Sequence, residues 1–428
     1  MSSPYLKFAY HTFGCKVNFA DSCMISRQLV EQGLSQVNIN ENADIYILNT
    51  CSVTENADKK AQKFIKKLNV KYPESKIIVT GCYAELKPAE ISKIKGVSKV
   101  IGLNDKFNIK EYYNLISENI ISKNPIAIND FQISYSLSER VRAFIKIQDG
   151  CDYICSYCTI PKARGKSRSG KIIEIINVIK DLVNNGIKEI ILSGINIGDY
   201  GKGNNENLLD LLKEIELVEN LDRYRISSIE PNLLNDDIID FLSKSKKALP
   251  HLHIPLQSGS EKVLKNMRRR YSAEDYKILI NKLNEIIPNI CIGVDIIVGY
   301  PTENKEDFLE TYEFINDLDV SYLHVFSYSD RDSTYANSLV NKVSSKEKKY
   351  RRKLLQQLSK NKFTSYVNNN LKSSKKVLFE NYNNGILDGL TENYIRVYSP
   401  GEKKFINHIK KVNLINYENN DVYGELIA

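Results

Sequence analysis

The sequence predicts an α/β protein in three parts: an N-terminal parallel-sheet domain, a central partial (βα)6 barrel and a small C-terminal β-barrel. Three observations carry this. Short continuous apolar runs of strand length recur along most of the chain, as strands buried on both faces require. Stretches of helical period stand between them, the alternation of an α/β fold. From about residue 367 the helical pattern gives way to short β-like runs separated by turn residues.

The elements follow in order. Phe8–Phe13, Asp44–Leu48 and Lys76–Thr80 are predicted strands, with a basic helical stretch, Ala57–Leu68, before the third. They make residues 1–120 a small α/β domain, and 121–138 a linker. Residues 139–366 repeat a strand–helix unit, with strands at Phe144–Ile147, Glu189–Leu192, Tyr224–Ser228, His251–Leu256, Val294–Val298 and Tyr322–Phe326. After the first comes an apolar-periodic helix, Lys171–Asn185, stopped by Gly186, a usual residue just past a helix end. Functional groups of such a barrel gather at the carboxyl ends of its strands. Lys346–Asn361 is a basic helix. Residues 367–428 hold the β runs Lys376–Phe379, Gly385–Leu387, Tyr394–Val397, Lys410–Leu414 and Gly424–Ile427.

The chain of 428 residues carries 60 basic and 52 acidic residues, a net charge of +8 on a mixed surface. That excess is compatible with nucleic acid as partner without requiring it. No apolar run approaches the roughly 20 residues that span a bilayer, and the N-terminus lacks a signal-peptide pattern. A cytoplasmic protein with no membrane partner is expected. Eight cysteines in that compartment are metal ligands, nucleophiles or core residues rather than disulfides.

Cys151, Cys155 and Cys158 form a C-x3-C-x2-C set in the loop after the first barrel strand. Three thiolates can hold three irons of a [4Fe–4S] cluster and leave the fourth open to an external ligand. A zinc site is the alternative, but zinc usually takes four ligands and no second pair lies nearby. Cys15, Cys51 and Cys82 each end a strand of the first domain. Carboxyl ends of parallel strands share one sheet edge, so these thiols converge on one crevice, as a second cluster needs. Cys23 and Cys291 lie in apolar surroundings and belong to the core.

These pieces together resemble the radical S-adenosylmethionine (radical-SAM) methylthiotransferase family over essentially the whole chain. The matching segments are Gly14-Cys15-Lys16-Val17-Asn18, Asn49-Thr50-Cys51-Ser52-Val53-Thr54, Gly81-Cys82 and the 151/155/158 triplet. The resemblance implies two [4Fe–4S] clusters and two uses of S-adenosylmethionine, one donating a methyl group to sulfur, one yielding the radical that activates the target carbon. It implies tRNA and an electron donor protein as partners, and a C-terminal domain like the RNA-binding TRAM module. Within the family the chain is most similar to the MtaB type, which acts at carbon 2 of N6-threonylcarbamoyladenosine at tRNA position 37. Arg142–Gly150, Gly194–Gly201, Ser227–Pro231 and Met267–Tyr271 carry that likeness. Lys162 stands where an aromatic is expected. Types acting on isopentenyladenosine or on a ribosomal protein remain alternatives, as does a non-catalytic iron–sulfur RNA-binding protein.

Other candidates follow from the strand-end rule. Gly194 and Asn196 follow the second barrel strand, where the resemblance puts the amino end of S-adenosylmethionine. Glu230, Gln257, Ser258 and Gly299 end later strands and are expected cofactor contacts. His251 and His253 share one strand face and are expected to pack with a hydrogen bond rather than bind metal. Lys162, Arg164, Lys166, Arg168, Arg268-Arg269-Arg270 and Arg351-Arg352 are candidate phosphate contacts. Tyr394 and Arg396 are expected to alternate along a strand and to meet RNA. No feature of the sequence sets an oligomeric state.

Overall fold

The computed structural model describes residues 6–113, 131–137 and 141–427. The first body contains β1 (Lys7–Thr12), α1 (Lys16–Glu31), β2 (Ser35–Gln36), β3 (Ile45–Thr50), α2 (Glu55–Lys71), β4 (Lys76–Gly81), short helices α3 (Cys82–Leu86) and α4 (Pro88–Ser92), β5 (Val97–Val100) and α5 (Lys110–Tyr113). Its strands form one parallel sheet in the order β2-β1-β3-β4-β5. Central β3 is buried at every residue, as an Ile-Tyr-Ile-Leu run covered on both faces must be. α2 starts at Thr54, whose hydroxyl accepts from the Ala57 amide, and turns Ala61, Ile65 and Leu68 onto the sheet. The short edge strands β2 and β5 have too few residues to show a period.

Most of the expected linker, 121–130 and 138, lies outside the described residues. Its described part is not a tether. β6 (Ser134–Tyr135) pairs antiparallel with β7 (Arg142–Lys146) as an outer edge strand. A two-stranded ribbon, β8 (Gln148–Asp149) with β9 (Arg168–Ser169), brackets the cysteine loop and α6 (Ile160–Arg164).

The barrel continues as α7 (Ile172–Asn184), β10 (Glu189–Ser193), α8 (Leu208–Glu216), β11 (Arg223–Ile226), α9 (Asp236–Lys244), β12 (His251–His253), α10 (Glu261–Asn266), α11 (Ala273–Ile286), β13 (Cys291–Val298), α12 (Lys305–Asp317) and β14 (Tyr322–Ser327). The expected strands are all present, split into β11-β10-β7-β6 and β12-β13-β14. The split is bridged where Ile229 N donates to His253 O at 3.0 Å. Alternation sorts the side chains. Ala143, Ile145, Ile190, Leu192, Tyr224 and Ile226 face the helices and build the main core. On the other face Arg142, Glu189 and Arg223 stand in register, and so do Phe144, Ile191 and Arg225. The barrel lumen is therefore largely polar. Cys23 and Cys291 are fully buried, as expected.

The basic helix is longer than its sequence pattern: α13 runs Ser345–Asn370, and the expected boundary at 366/367 falls within it. Its last turns leave the barrel, and Val367 joins the core of the C-terminal body. That body is a closed barrel of β15 (Ser374–Asn383), β16 (Ile386–Thr391), β17 (Arg396–Pro400), β18 (Ile409–Glu418) and β19 (Asp421–Leu426), in the order β15-β16-β17-β19-β18.

This barrel docks on the amino ends of β7, β10 and β11. Arg223 donates to Leu390 O at 3.1 Å, and Arg225 to Thr391 O and Glu392 O at 2.7 and 3.0 Å. Tyr394 and Arg396 depart from expectation. Tyr394 sits in the turn before β17 with φ of 69° and stacks on His251 at 3.9 Å between ring centres. Arg396 pairs with Glu380 and Asp388. The two therefore do not alternate along one strand face. No helix among the described residues is long and apolar enough to cross a membrane.

Candidate functional site

Cys15, Cys51 and Cys82 follow β1, β3 and β4, neighbours in the sheet. They do meet. A Cβ added to Gly14 would lie 2.5 Å from Cys51 Cβ and 2.9 Å from Cys51 Sγ, so the Cys15 loop rests on Cys51. Asn18, on the first turn of α1, donates to Phe13 O and Thr50 O, both at 3.0 Å, and ties the two strand ends together. Gly81, just before Cys82, has φ of 97°, and a Cβ there would stand 2.3 Å from Thr50 O. Gly81→Ala is expected to destabilise the fold by about 1–3 kcal/mol. It should also lower iron content per folded chain; unchanged iron would mean that Cys82 needs no such backbone.

The second set lies in the loop after β8. Tyr153 N donates to Cys151 Sγ at 3.4 Å, Arg269 Nη1 lies 3.2 Å from Cys155 Sγ, and Asn196 Nδ2 lies 4.0 Å from Cys151 Sγ. Burial pushes Cys51 and Cys158 up to about 12 and Cys151 up to about 11, and raises Cys82 and Cys155. Thiols so placed keep their protons until a metal displaces them. No three Cys, His, Asp or Glu side chains among the described residues converge on a single metal ion. A cluster does not ask for that, since each thiolate bonds a different iron and the sulfurs stand apart.

One residue joins the sets. Arg164, fully buried at the end of α6, donates to Asp149 Oδ1 at 2.8 Å, lies 3.3 Å from Cys82 Sγ and reaches Asn18 Oδ1 at 2.5 Å. Asp21 lies behind it and accepts from Lys106 at 2.8 Å, Lys146 at 2.9 Å and Ser134 at 2.7 Å. Burial alone would raise Asp21, but Lys106, Lys146 and Arg164 outweigh it and hold the carboxyl well below the usual range.

The expected cofactor contacts divide. Asn196 is buried and hydrogen-bonded to Asp199, with its Oδ1 unpartnered. Gly194 lies against Gln148, whose Oε1 accepts from Ile195 N and Asn196 N at 2.9 and 2.8 Å. Glu230 pairs with Arg269, the residue at Cys155; burial raises its carboxyl. Gln257 has φ of 73° and pairs with β13 through Asp295 O. Ser258 is engaged with Thr311 of α12, and Gly299 with Glu303 and the Lys348 stem on α13.

The basic run is the main correction. Arg164 and Arg168 are committed to Asp149, and Arg351 to Glu303 and Glu347. Lys162 caps Ser333 O, and Arg270 covers the Tyr153 ring. These are not spare phosphate contacts. His251 meets Tyr322, and His253 meets Ser228 and Asp295, as expected of packed histidines. Sequence reasoning gave Arg164 and Arg269 to phosphate, where the structure puts them at Cys82 and Cys155, and it passed over Asn18, Asp21 and Gln148 as site residues.

Beside Cys15 a cavity of about 310 Å³ opens into the barrel lumen. Lys16, Arg142, Arg225, His251, Phe19, Phe144 and Tyr394 help line it. Burial lowers Lys16 to about 8, helped by Arg142 and Arg225.

Residues 145–315 match the Radical SAM superfamily, and residues 7–102 match the family described as Uncharacterized protein family UPF0004. The chain is 38% identical over 420 residues to the threonylcarbamoyladenosine tRNA methylthiotransferase MtaB of Bacillus subtilis, covering 95% of this chain and 93% of that one. It is 34% identical to the protein of that name from Aquifex aeolicus, covering 93% and 98%. It is also 34% identical to a tRNA-2-methylthio-N(6)-dimethylallyladenosine synthase of Endomicrobium trichonymphae, covering 99% and 100%. In fold it resembles the radical S-adenosylmethionine methyltransferase TsrM of Kitasatospora setae, with a TM-score of 0.56 at 12% identity, covering 78% and 77%. The thiol donors and the unpartnered Asn196 Oδ1, an acceptor suited to an ammonium, fit iron–sulfur clusters and S-adenosylmethionine, the cofactors of such enzymes. The chain belongs to the radical-SAM methylthiotransferase family, and within it to the MtaB type.

Proposed function

We propose that this chain places a methylthio group on C2 of N6-threonylcarbamoyladenosine at position 37 of tRNA. The observation that carries the reading is Arg164: one buried guanidinium leaves the loop of the 151/155/158 set and touches Cys82 of the other, so both thiol sets serve one crevice. The names of the Bacillus and Aquifex relatives support the substrate.

When bound, the clusters and S-adenosylmethionine supply the radical that activates the target carbon and the methylated sulfur that it receives. The chain supplies position and shielding. Cys151, Cys155 and Cys158 hold the cluster facing S-adenosylmethionine, and Cys15, Cys51 and Cys82 hold the sulfur-carrying one. Asn196 accepts from the amino group of S-adenosylmethionine beside Gly194, with Glu230 and Gln257 on the same edge. Ser258 and Gly299 brace their strand ends against α12 and α13. Phe19 and Phe144, edge to face at 5.6 Å, present apolar surface beside Cys15 and keep water from the reacting carbon. Lys349, Arg352 and Lys353, exposed on α13, and the outer face of the 367–428 barrel are the proposed tRNA contacts. An electron donor protein completes the partner set, and the work takes place in the cytoplasm.

Mass spectrometry of tRNA nucleosides tests this in cells lacking the protein and after complementation. Loss and return of the methylthio form of threonylcarbamoyladenosine is expected, with the isopentenyl form unchanged. The reverse pattern would move the assignment to the substrate named for the Endomicrobium relative.

A further inference from the structure

The cavity beside Cys15 has an unbalanced wall. Lys16, Arg142 and Arg225 bring positive charge to it, and no carboxylate is among its lining residues. The two arginines are already satisfied: Arg142 by Glu380 and Glu189, Arg225 by Glu189 and by the carbonyls of Thr391 and Glu392. Lys16 differs. Its ammonium has no hydrogen bond or ion pair among the described residues, and the side chain stands half-buried in the cavity wall. A half-buried cation without a partner, in a cavity with two further cations and no acid, describes a place for an anion.

The position identifies the anion. Lys16 follows Cys15 directly, and both line the cavity. A base presented to the 15/51/82 set therefore stands at the mouth, with the lumen beyond it. Adenine C2 and C6 flank N1, so C2 turned to the thiol set leaves the N6 substituent beside it, able to extend along the wall. That substituent in threonylcarbamoyladenosine ends in a free carboxylate. We infer that Lys16 binds this carboxylate and so selects the open, anionic side chain over a cyclised or purely apolar one. The inference rests on the proposed substrate. It makes Lys16 a specificity residue, because a hydrocarbon substituent would cover the ammonium and leave it unpaired.

Cluster-loaded protein without reductant would be titrated, at one salt concentration, with anticodon stem-loops. These carry adenosine, threonylcarbamoyladenosine, its methyl ester or isopentenyladenosine at position 37. The unmutated protein should bind the acid roughly tenfold or more tightly than the ester, the scale of a charge-assisted hydrogen bond. Lys16→Gln should erase that difference and leave affinity for the adenosine stem-loop and for S-adenosylmethionine unchanged. Lys16→Arg should keep most of it. Equal binding of acid and ester by the unmutated protein overturns the inference alone. So does a Lys16→Gln protein weakened equally toward every stem-loop, which marks a phosphate contact. Weakened binding of S-adenosylmethionine overturns it too, in favour of the methionyl carboxylate. Preference of the unmutated protein for the isopentenyl stem-loop overturns the substrate reading itself.

Discussion

Alanine at Cys151, Cys155 and Cys158 together abolishes release of 5′-deoxyadenosine from S-adenosylmethionine and, with it, every modified product. Alanine at Cys15, Cys51 and Cys82 leaves that release in place and removes only methylthiolation. Each triple variant should lose half of the iron. The expectation rests on separate protein ligation: one set is rooted in the first sheet and the other in the loop after β8. Arg164 touches Cys82, while Arg269 serves Cys155, so loss of one set leaves the other's nearest partner in place. The assay is chromatography of deoxyadenosine beside mass spectrometry of the tRNA, with circular dichroism to establish folding. Loss of deoxyadenosine from a folded 15/51/82 variant would mean that the sets form one centre, and would remove the division of labour proposed above.

Asp21→Asn lowers the unfolding free energy by about 3–5 kcal/mol, the cost of stranding buried charge. Asp21, Lys106, Lys146 and Arg164 are each no more than 2% exposed, so water cannot replace a lost partner. With the carboxylate gone, Lys106 loses its ion pair, and Lys146 and Arg164 keep only Asp149. Asp21→Leu combined with Lys106→Met should recover part of the loss, because apolar groups of similar volume remove both the charge and its desolvation cost. Denaturant titration measures both variants. A change within about 0.5 kcal/mol for Asp21→Asn, the size of an ordinary surface substitution, would mean that water reaches this cluster.

The fold was readable where its causes are local. Each barrel strand is an apolar run, and Cys15, Cys51 and Cys82 each follow such a run. The pairing of Cys15 with Cys51 could be anticipated because parallel neighbours end on the same edge. Arg164 could not be read this way. Its partners Asp149, Cys82 and Asn18 lie 15, 82 and 146 residues away, and in the sequence it is one of four alternating cations. Local charge counting made it a surface group, whereas the acids that bury it come from α1 and β8. Tyr394 failed for a related reason. It looks like a strand residue, yet a left-handed backbone turns it out of β17 and onto His251. β6 is two residues long and is held by Asp21 and β7 rather than by any pattern of its own.

The turn at 391–394 makes the C-terminal barrel a stopper for the chamber above it. A chain cut after α13 would take the carbonyls of Leu390, Thr391 and Glu392 from Arg223 and Arg225 and leave both guanidiniums to the one carboxylate of Glu189. It would also unroof the ring of His251. Truncation is thus no clean way to subtract one module from this protein, and a transplanted barrel would have to bring the same turn with it. The turn, through Tyr394 on His251, is also a wall of the cavity beside Cys15.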